Sequence, residues 1–180
     1  MKKTIDYEVA LPHGVQATLD GRDLIVKGPK GETRRTLLQP GVSIVVEGTL
    51  VRVKAVTASK REKRHAGSIS AHIKNMIEGV QTPFQFKLKV CASHFPMNVS
   101  VQGNKLVVKN FLGEKIPREI MFDKGASVKV AGDIIEVESC DIELAGTTAS
   151  KFENLTFVSK RDRRIFQDGI YVTHKPGVDA

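Results

Sequence analysis

The densest chemistry in this chain lies near its C-terminus, where Lys160, Arg161, Arg163 and Arg164 place four cationic side chains within five positions. Phe166, Gln167, Asp168, Gly169 and Tyr171 come directly after them. Guanidinium forks grip phosphate oxygens in pairs, and aromatic rings offer flat faces to bases and sugars. The combination suits binding a nucleic acid and not a reaction, and from this run alone a solvated, charged connection into a last strand explains it equally well. Asp168-Gly169 supplies a turn, so the segment has a shape that a loose basic tail lacks. A second basic group, Lys60, Arg61, Lys63 and Arg64, comes after Ser59 at a predicted helix start. Positive charge there opposes the helix dipole. The cost is only a few tenths of a kcal/mol, so a solvated face explains this patch as readily as a ligand does.

No catalytic or metal-binding constellation accompanies these clusters. His13, His65, His72, His94 and His174 are scattered, and none shares ligand or triad spacing with Cys, Asp or Glu. Rival readings are a free-standing nucleic-acid-binding protein, a processing enzyme using His65 or His94 as acid or base, and a protein–protein scaffold using the more basic N-terminal face. His72 falls three residues after Ile69 and is expected to be a half-buried, packed imidazole. Gly28-Pro29-Lys30-Gly31 reads as a turn, because no Lys-Ser/Thr comes after it to make a phosphate loop. Cys91 and Cys140 stand alone, as idle thiols of a reducing compartment do. Neither a cofactor nor a metal is expected.

The net charge of +8 with a pI near 9.6 favours a polyanionic partner over small acidic metabolites. Residues 1–80 carry 14 basic and 8 acidic side chains (+6), and residues 81–180 carry 14 and 12 (+2). Contacting charges govern counterion release, so the local cluster at 160–164 outweighs the larger total of the first half. No apolar run approaches membrane-span length, and no apolar stretch after Lys2-Lys3 forms a signal peptide.

The elements that must position these residues come from an internal repeat. Residues 21–32 and 103–114 share six of twelve positions at a constant offset of 82, including Gly21/Gly103, Leu24/Leu106 and Gly31/Gly113. Gly41, Ser43, Val46 and Gly48 recur 84 residues later, and Ala66-Gly67 and Asn75 recur 79 residues later. Small drifts of offset are what loop insertions leave, so the pattern predicts a tandem domain pair, 1–81 and 82–180. Each copy reads as short strands and then a helix. Ile69, Ile73, Met76, Ile77 and Val80 form the apolar stripe of the first helix, with Ser59 and Glu62 as a capping box. Ala145, Ala149, Phe152 and Leu155 form the second stripe, whose start is marked by Ser139, Asp141 and Glu143. Phe84, Phe86, Leu88 and Val90 alternate with polar residues, as a half-buried strand does. The fold class is α+β: two similar domains, each an antiparallel sheet with one helix packed on a face.

The run Arg161-x-x-Arg164-x-Phe166-x-Asp168-Gly169-Ile170-Tyr171-Val172-x-x-Lys175 resembles the C-terminal signature of large-subunit ribosomal protein six, in its archaeal and eukaryotic form (protein nine in eukaryotic numbering). The duplication, the chain length and the strand and turn at 24–31 match as well. The resemblance implies a non-catalytic, cytoplasmic ribosomal protein. It implies binding to large-subunit rRNA near the sarcin–ricin loop and stalk base, beside neighbouring large-subunit proteins and the docking region of translation GTPases. Carried onto this chain, the rRNA contacts are Lys151, Asn154, Lys160, Arg161, Arg163, Arg164, Phe166, Gln167, Asp168, Gly169, Tyr171 and Lys175. Asp168-Gly169 is expected to shape the loop more than to touch RNA. Asn154 departs from the family pattern, standing where glutamine is expected and reaching less far.

Overall fold

The computed structural model describes residues 3–37 and 39–177. The chain divides into two compact units, Met1–Pro83 and Phe84–Ala180. The first unit thus ends past residue 81, because the first helix runs to Gln81 and Thr82 caps it.

Six strands and a helix make the first unit: β1 (Lys3–Ala10), β2 (Gln16–Asp20), β3 (Asp23–Gly28), β4 (Gly31–Thr36), β5 (Ser43–Glu47), β6 (Leu50–Ala58) and α1 (Lys60–Gln81). They form two antiparallel three-stranded sheets, ordered β2-β3-β4 and β1-β6-β5. One core joins both sheets to the helix. Leu24 and Val26 of β3 meet Val51, Val53 and Ala55 of β6, together with Ile69, Ile73 and Val80 of α1. The expected stripe is therefore the buried one, and the capping box of Ser59 and Glu62 forms. Gly28 is required by proximity: a Cβ there would lie 2.7 Å from Val80 Cγ2. Next to it, Lys30 N–H donates to the Val80 carbonyl at 3.0 Å, tying the β3–β4 turn to the helix end.

The second unit repeats the order with β7 (Phe84–Cys91), β8 (Asn98–Gln102), β9 (Lys105–Lys109), a 3₁₀ turn at Phe111–Gly113, β10 (Arg118–Met121), β11 (Ser127–Ala131), β12 (Ile134–Ser139) and α2 (Ile142–Leu155). It then adds β13 (Gly169–His174). The sheets are ordered β10-β9-β8 and β11-β12-β7-β13. The α+β class and the tandem repeat hold, while the sheet of each unit is divided in two. Phe84, Phe86, Leu88 and Val90 of β7 are buried, on one face of the four-stranded sheet. Phe122 and Phe152 meet edge to face in this core, 5.6 Å between ring centres. The cap of α2 is Asp141, whose carboxylate accepts from Glu143 N–H at 2.9 Å. Ser139 instead ends β12, and its hydroxyl donates to the Gly125 carbonyl at 3.0 Å. Cys91 and Cys140 form no disulfide and are half-buried, and burial pushes the Cys140 thiol above its ordinary value. His72 is half-buried on α1.

Candidate nucleic-acid interface

Between α2 and β13 the chain makes a loop of residues 156–168 that carries the basic cluster. Its ends are bolted down by two buried polar side chains. Thr156, which caps α2, is buried; its hydroxyl donates to the Glu153 carbonyl at 3.3 Å and accepts from Ile170 N–H at 2.8 Å. One side chain thereby links the helix end to β13.

At the other end Asp168 is only 3% exposed, too little to meet RNA. One carboxylate oxygen accepts the backbone N–H groups of Ser93 and of His94, the latter at 3.1 Å. The other meets His94 Nδ1 at 2.6 Å. Burial opposes ionisation here, yet these hydrogen bonds outweigh it and hold the Asp168 carboxyl below its ordinary value. Asp168 therefore shapes the loop. Gly169 beside it is buried, and a Cβ would sit 3.4 Å from both Thr156 Oγ1 and the Tyr171 ring.

The middle of the loop is organised by Asp162. Its backbone carbonyl accepts from Ile165 N–H at 3.1 Å and from Phe166 N–H at 2.9 Å, which makes a single tight turn. Its carboxylate accepts the Arg164 backbone N–H at 2.9 Å and, from the guanidinium, Nε at 3.1 Å and Nη2 at 2.9 Å. Those bonds hold the Asp162 carboxyl below the usual carboxylate range. Lys160 is exposed and adopts left-handed backbone, φ 60°, uncommon for a residue with a Cβ.

Each arginine has its own support. The Arg161 guanidinium lies 4.8 Å from the centre of the Phe166 ring, which also stacks on His94 at 4.8 Å. The Arg163 guanidinium lies 4.7 Å from the centre of the Phe157 ring. Arg164 rests on Asp162 with its side chain 91% exposed. Gln167 donates to the Arg164 carbonyl at 3.3 Å.

Two cavities open beside this loop, and Arg163 and Tyr171 line both. One, of about 290 Å³, adds Asn154 and the exposed Phe157 from the helix end. The other, of about 620 Å³, adds Cys91, Ser93, Arg164 and Gln167. The structure thus gathers Asn154, Arg163, Arg164, Gln167 and Tyr171 around these openings, with Arg161 and Phe166 on the same loop. Lys151 is half-buried on α2, its Nζ 3.5 Å from an Asp123 carboxylate oxygen. Lys175 is exposed just past β13. In the first unit, Lys60, Arg61, Lys63 and Arg64 sit exposed on the opening turns of α1, after the Ser59 cap. Glu62 among them bonds back to Ser59 N–H at 2.8 Å.

Sequence spacing concealed several supporting residues. His94 is 74 positions from Asp168, so no motif could pair them. That pairing, with the stack on Phe166, gives His94 a structural task in place of the acid or base role of the rival reading. Arg118 in β10 donates to the Leu155 carbonyl at 2.8 Å and the Phe157 carbonyl at 3.4 Å. Glu114 grips its guanidinium at 2.7 and 2.8 Å, and Phe111 lies under it at 4.3 Å. It therefore holds the end of α2 where the loop departs. Only its position after a 3₁₀ turn, with a carboxylate four residues earlier, could have hinted at this.

The family model described as Ribosomal protein L6 matches this chain twice, over residues 11–82 and 95–169. The chain belongs to the ribosomal protein L6 family. Its two matched segments coincide with the two repeats, and the second ends at Gly169 as β13 begins. Among curated relatives, the large ribosomal subunit protein uL6 of Nanoarchaeum equitans is 44% identical, covering 96% of this chain and 94% of the relative. The protein of that name from Methanospirillum hungatei is 39% identical, covering 96% and 98%. That from Archaeoglobus fulgidus is 42% identical, covering 93% and 88%. Family members of this kind are structural proteins and not enzymes.

Proposed function

We propose that the loop 156–168 and the strand after it hold large-subunit rRNA near the sarcin–ricin loop and the stalk base, and so brace the region where translation factors dock. As a member of the ribosomal protein L6 family, the chain is a non-catalytic constituent of the large ribosomal subunit, acting in translation in the cytoplasm. The binding surface comprises Lys160, Arg161, Arg163, Arg164, Phe166, Gln167 and Tyr171, with Lys151, Asn154 and Lys175 at its margins. Neighbouring ribosomal proteins at the stalk base, and translation GTPases passing it, are the protein partners of this reading. No described helix is long and apolar enough to cross a membrane.

The observation that carries this reading is the preorganisation of the arginines. Arg161 and Arg163 rest on aromatic rings, and Arg164 rests on a carboxylate. Less side-chain entropy is then lost when each fork closes on a phosphate. The exposed pair with Asp162 is worth little and can be exchanged for a phosphate. RNA duplexes hide their base edges in a deep major groove, so shape and backbone contacts are the expected mode.

The test is affinity for an rRNA fragment containing the sarcin–ricin loop, measured across a salt series. Wild type is compared with Arg161→Ala/Arg164→Ala. Selective binding by wild type, with a salt slope smaller by about 1 to 2 in the double variant, supports the assignment. A double variant that binds like wild type overturns it.

A further inference from the structure

We infer that the smaller cavity receives one unpaired nucleobase, a guanine, splayed out of the RNA that the basic loop holds. This rests on the RNA-binding reading above and adds a means of reading a base. The cavity has about 290 Å³, at the small end of ligand-sized clefts, which suits a single planar ring system. Its walls suit a base as well. Phe157 is 52% exposed, and it supports the Arg163 guanidinium at 4.7 Å. Tyr171 lines the cavity too, and buried Ile170 adds an apolar surface. Aromatic rings and flat guanidinium planes are the surfaces on which splayed RNA bases stack.

The polar lining selects among bases. Glu153 lies at this cavity, beside the arginine-rich loop. A carboxylate only accepts hydrogen bonds, so it repels phosphate and gains only from donors. One of its oxygens meets Val172 N–H at a long 3.5 Å, and the other has no hydrogen bond among the described residues. Asn154 beside it supplies an amide that both donates and accepts. Guanine is the base that presents two adjacent N–H donors and a carbonyl on one edge. The donors match a carboxylate, and the carbonyl matches the amide N–H. Uracil, cytosine and adenine each lack one part of that set.

The full chain is titrated at fixed salt with RNA hairpins of equal length and charge. They differ only at one bulged position, which carries guanine, inosine, uracil or an abasic site. A hairpin with no bulge completes the set. The guanine bulge is expected to bind about tenfold tighter than the abasic one, the scale of one base stacked on aromatic surface. Inosine, which lacks the second donor, falls between them. Glu153→Gln is expected to abolish the difference between guanine and inosine while keeping the salt slope. If every hairpin binds alike, with the salt slope of a phosphate-contacting protein, the base pocket is overturned and the basic-loop reading stands. If none binds, both fall. A preference that survives Glu153→Gln unchanged overturns the assignment of the carboxylate.

Discussion

In the first unit β1 is the edge strand of its sheet, paired on one side with β6. In the second unit its counterpart β7 lies between β12 and β13, antiparallel to both. Everything up to the helix is shared: two sheets, one core and a capped helix on the sheet face. The two units part company after the helix. Beyond α1 the first unit ends within two residues. Beyond α2 the chain makes a loop, returns along β7 and fills the edge whose counterpart in the first unit no strand pairs among the described residues. The recurrent frame supplies stability, and the added strand supplies a rigid anchor for the cationic loop. What sets the second copy apart is a segment bolted to the shared frame by Thr156 and Asp168.

The strongest way to break that difference is to unbolt the segment. Asp168→Ala would leave the N–H groups of Ser93 and His94 and the His94 ring without their acceptor. Loss of a buried acceptor serving several donors is expected to cost about 3 kcal/mol. Urea unfolding of the full chain would give the loss. Amide exchange would locate it at Ser93, His94 and Ile170 and leave the first unit's strands protected. Unchanged exchange at those amides would contradict the anchor. Acid provides a second arm. The carboxyl is held below its ordinary value in the folded state, so its stabilisation is present above the unfolded value. It is lost as pH falls from about 4 through the folded value. Asp168→Asn should flatten that part of the acid profile.

A smaller effect is expected from the helix end. The matching strand of the first unit, β4, keeps its Arg34 on its own sheet, 2.7 Å from Asp23. Arg118 of β10 instead reaches across to the carbonyls of Leu155 and Phe157. Arg118→Ala should cost about 1 to 2 kcal/mol, discounted for its partial exposure. RNA affinity should fall a few-fold with no change in salt slope, since the residue positions the loop and does not touch phosphate. A slope smaller by about 1 would make Arg118 a phosphate contact instead.

How much of this is legible in the sequence depends on whether the signal is local or spatial. Strand runs such as Leu106, Val107 and Val108, and glycines at hairpin turns, recur at nearly constant offset, so the duplication can be read directly. The helical stripes and the Ser59–Glu62 box are also local, and they form as read. The cluster at 160–164 is visible from charge density, and the shaping role of Asp168 from the poor match between a carboxylate and a phosphate backbone. Division of each sheet in two is not legible, because pairing between strands depends on register across the core. The Asp168–His94 contact and the reach of Arg118 span 74 and 37 residues, and one-dimensional spacing does not report such contacts. Ser139 resembles part of the helix start in sequence, because hydroxyls serve caps and strand ends alike.

The smallest expected effect concerns the basic turn of α1. Lys60, Arg61, Lys63 and Arg64 match the C-terminal cluster in charge, and they follow a capped helix start. They lack what distinguishes the loop: no aromatic ring supports the cationic group of any of them among the described residues, and neither cavity beside the loop involves them. Replacing Lys60 and Arg64 by Gln should change the salt slope for the rRNA fragment by less than about 1 and leave its selectivity intact. Removing like charges from the positive end of a helix should leave the melting temperature unchanged or slightly raised, by a few tenths of a kcal/mol at most. If affinity instead falls as far as in Arg161→Ala/Arg164→Ala, charge density and not preorganisation decides where this protein meets RNA. The first unit would then be an equal partner in binding.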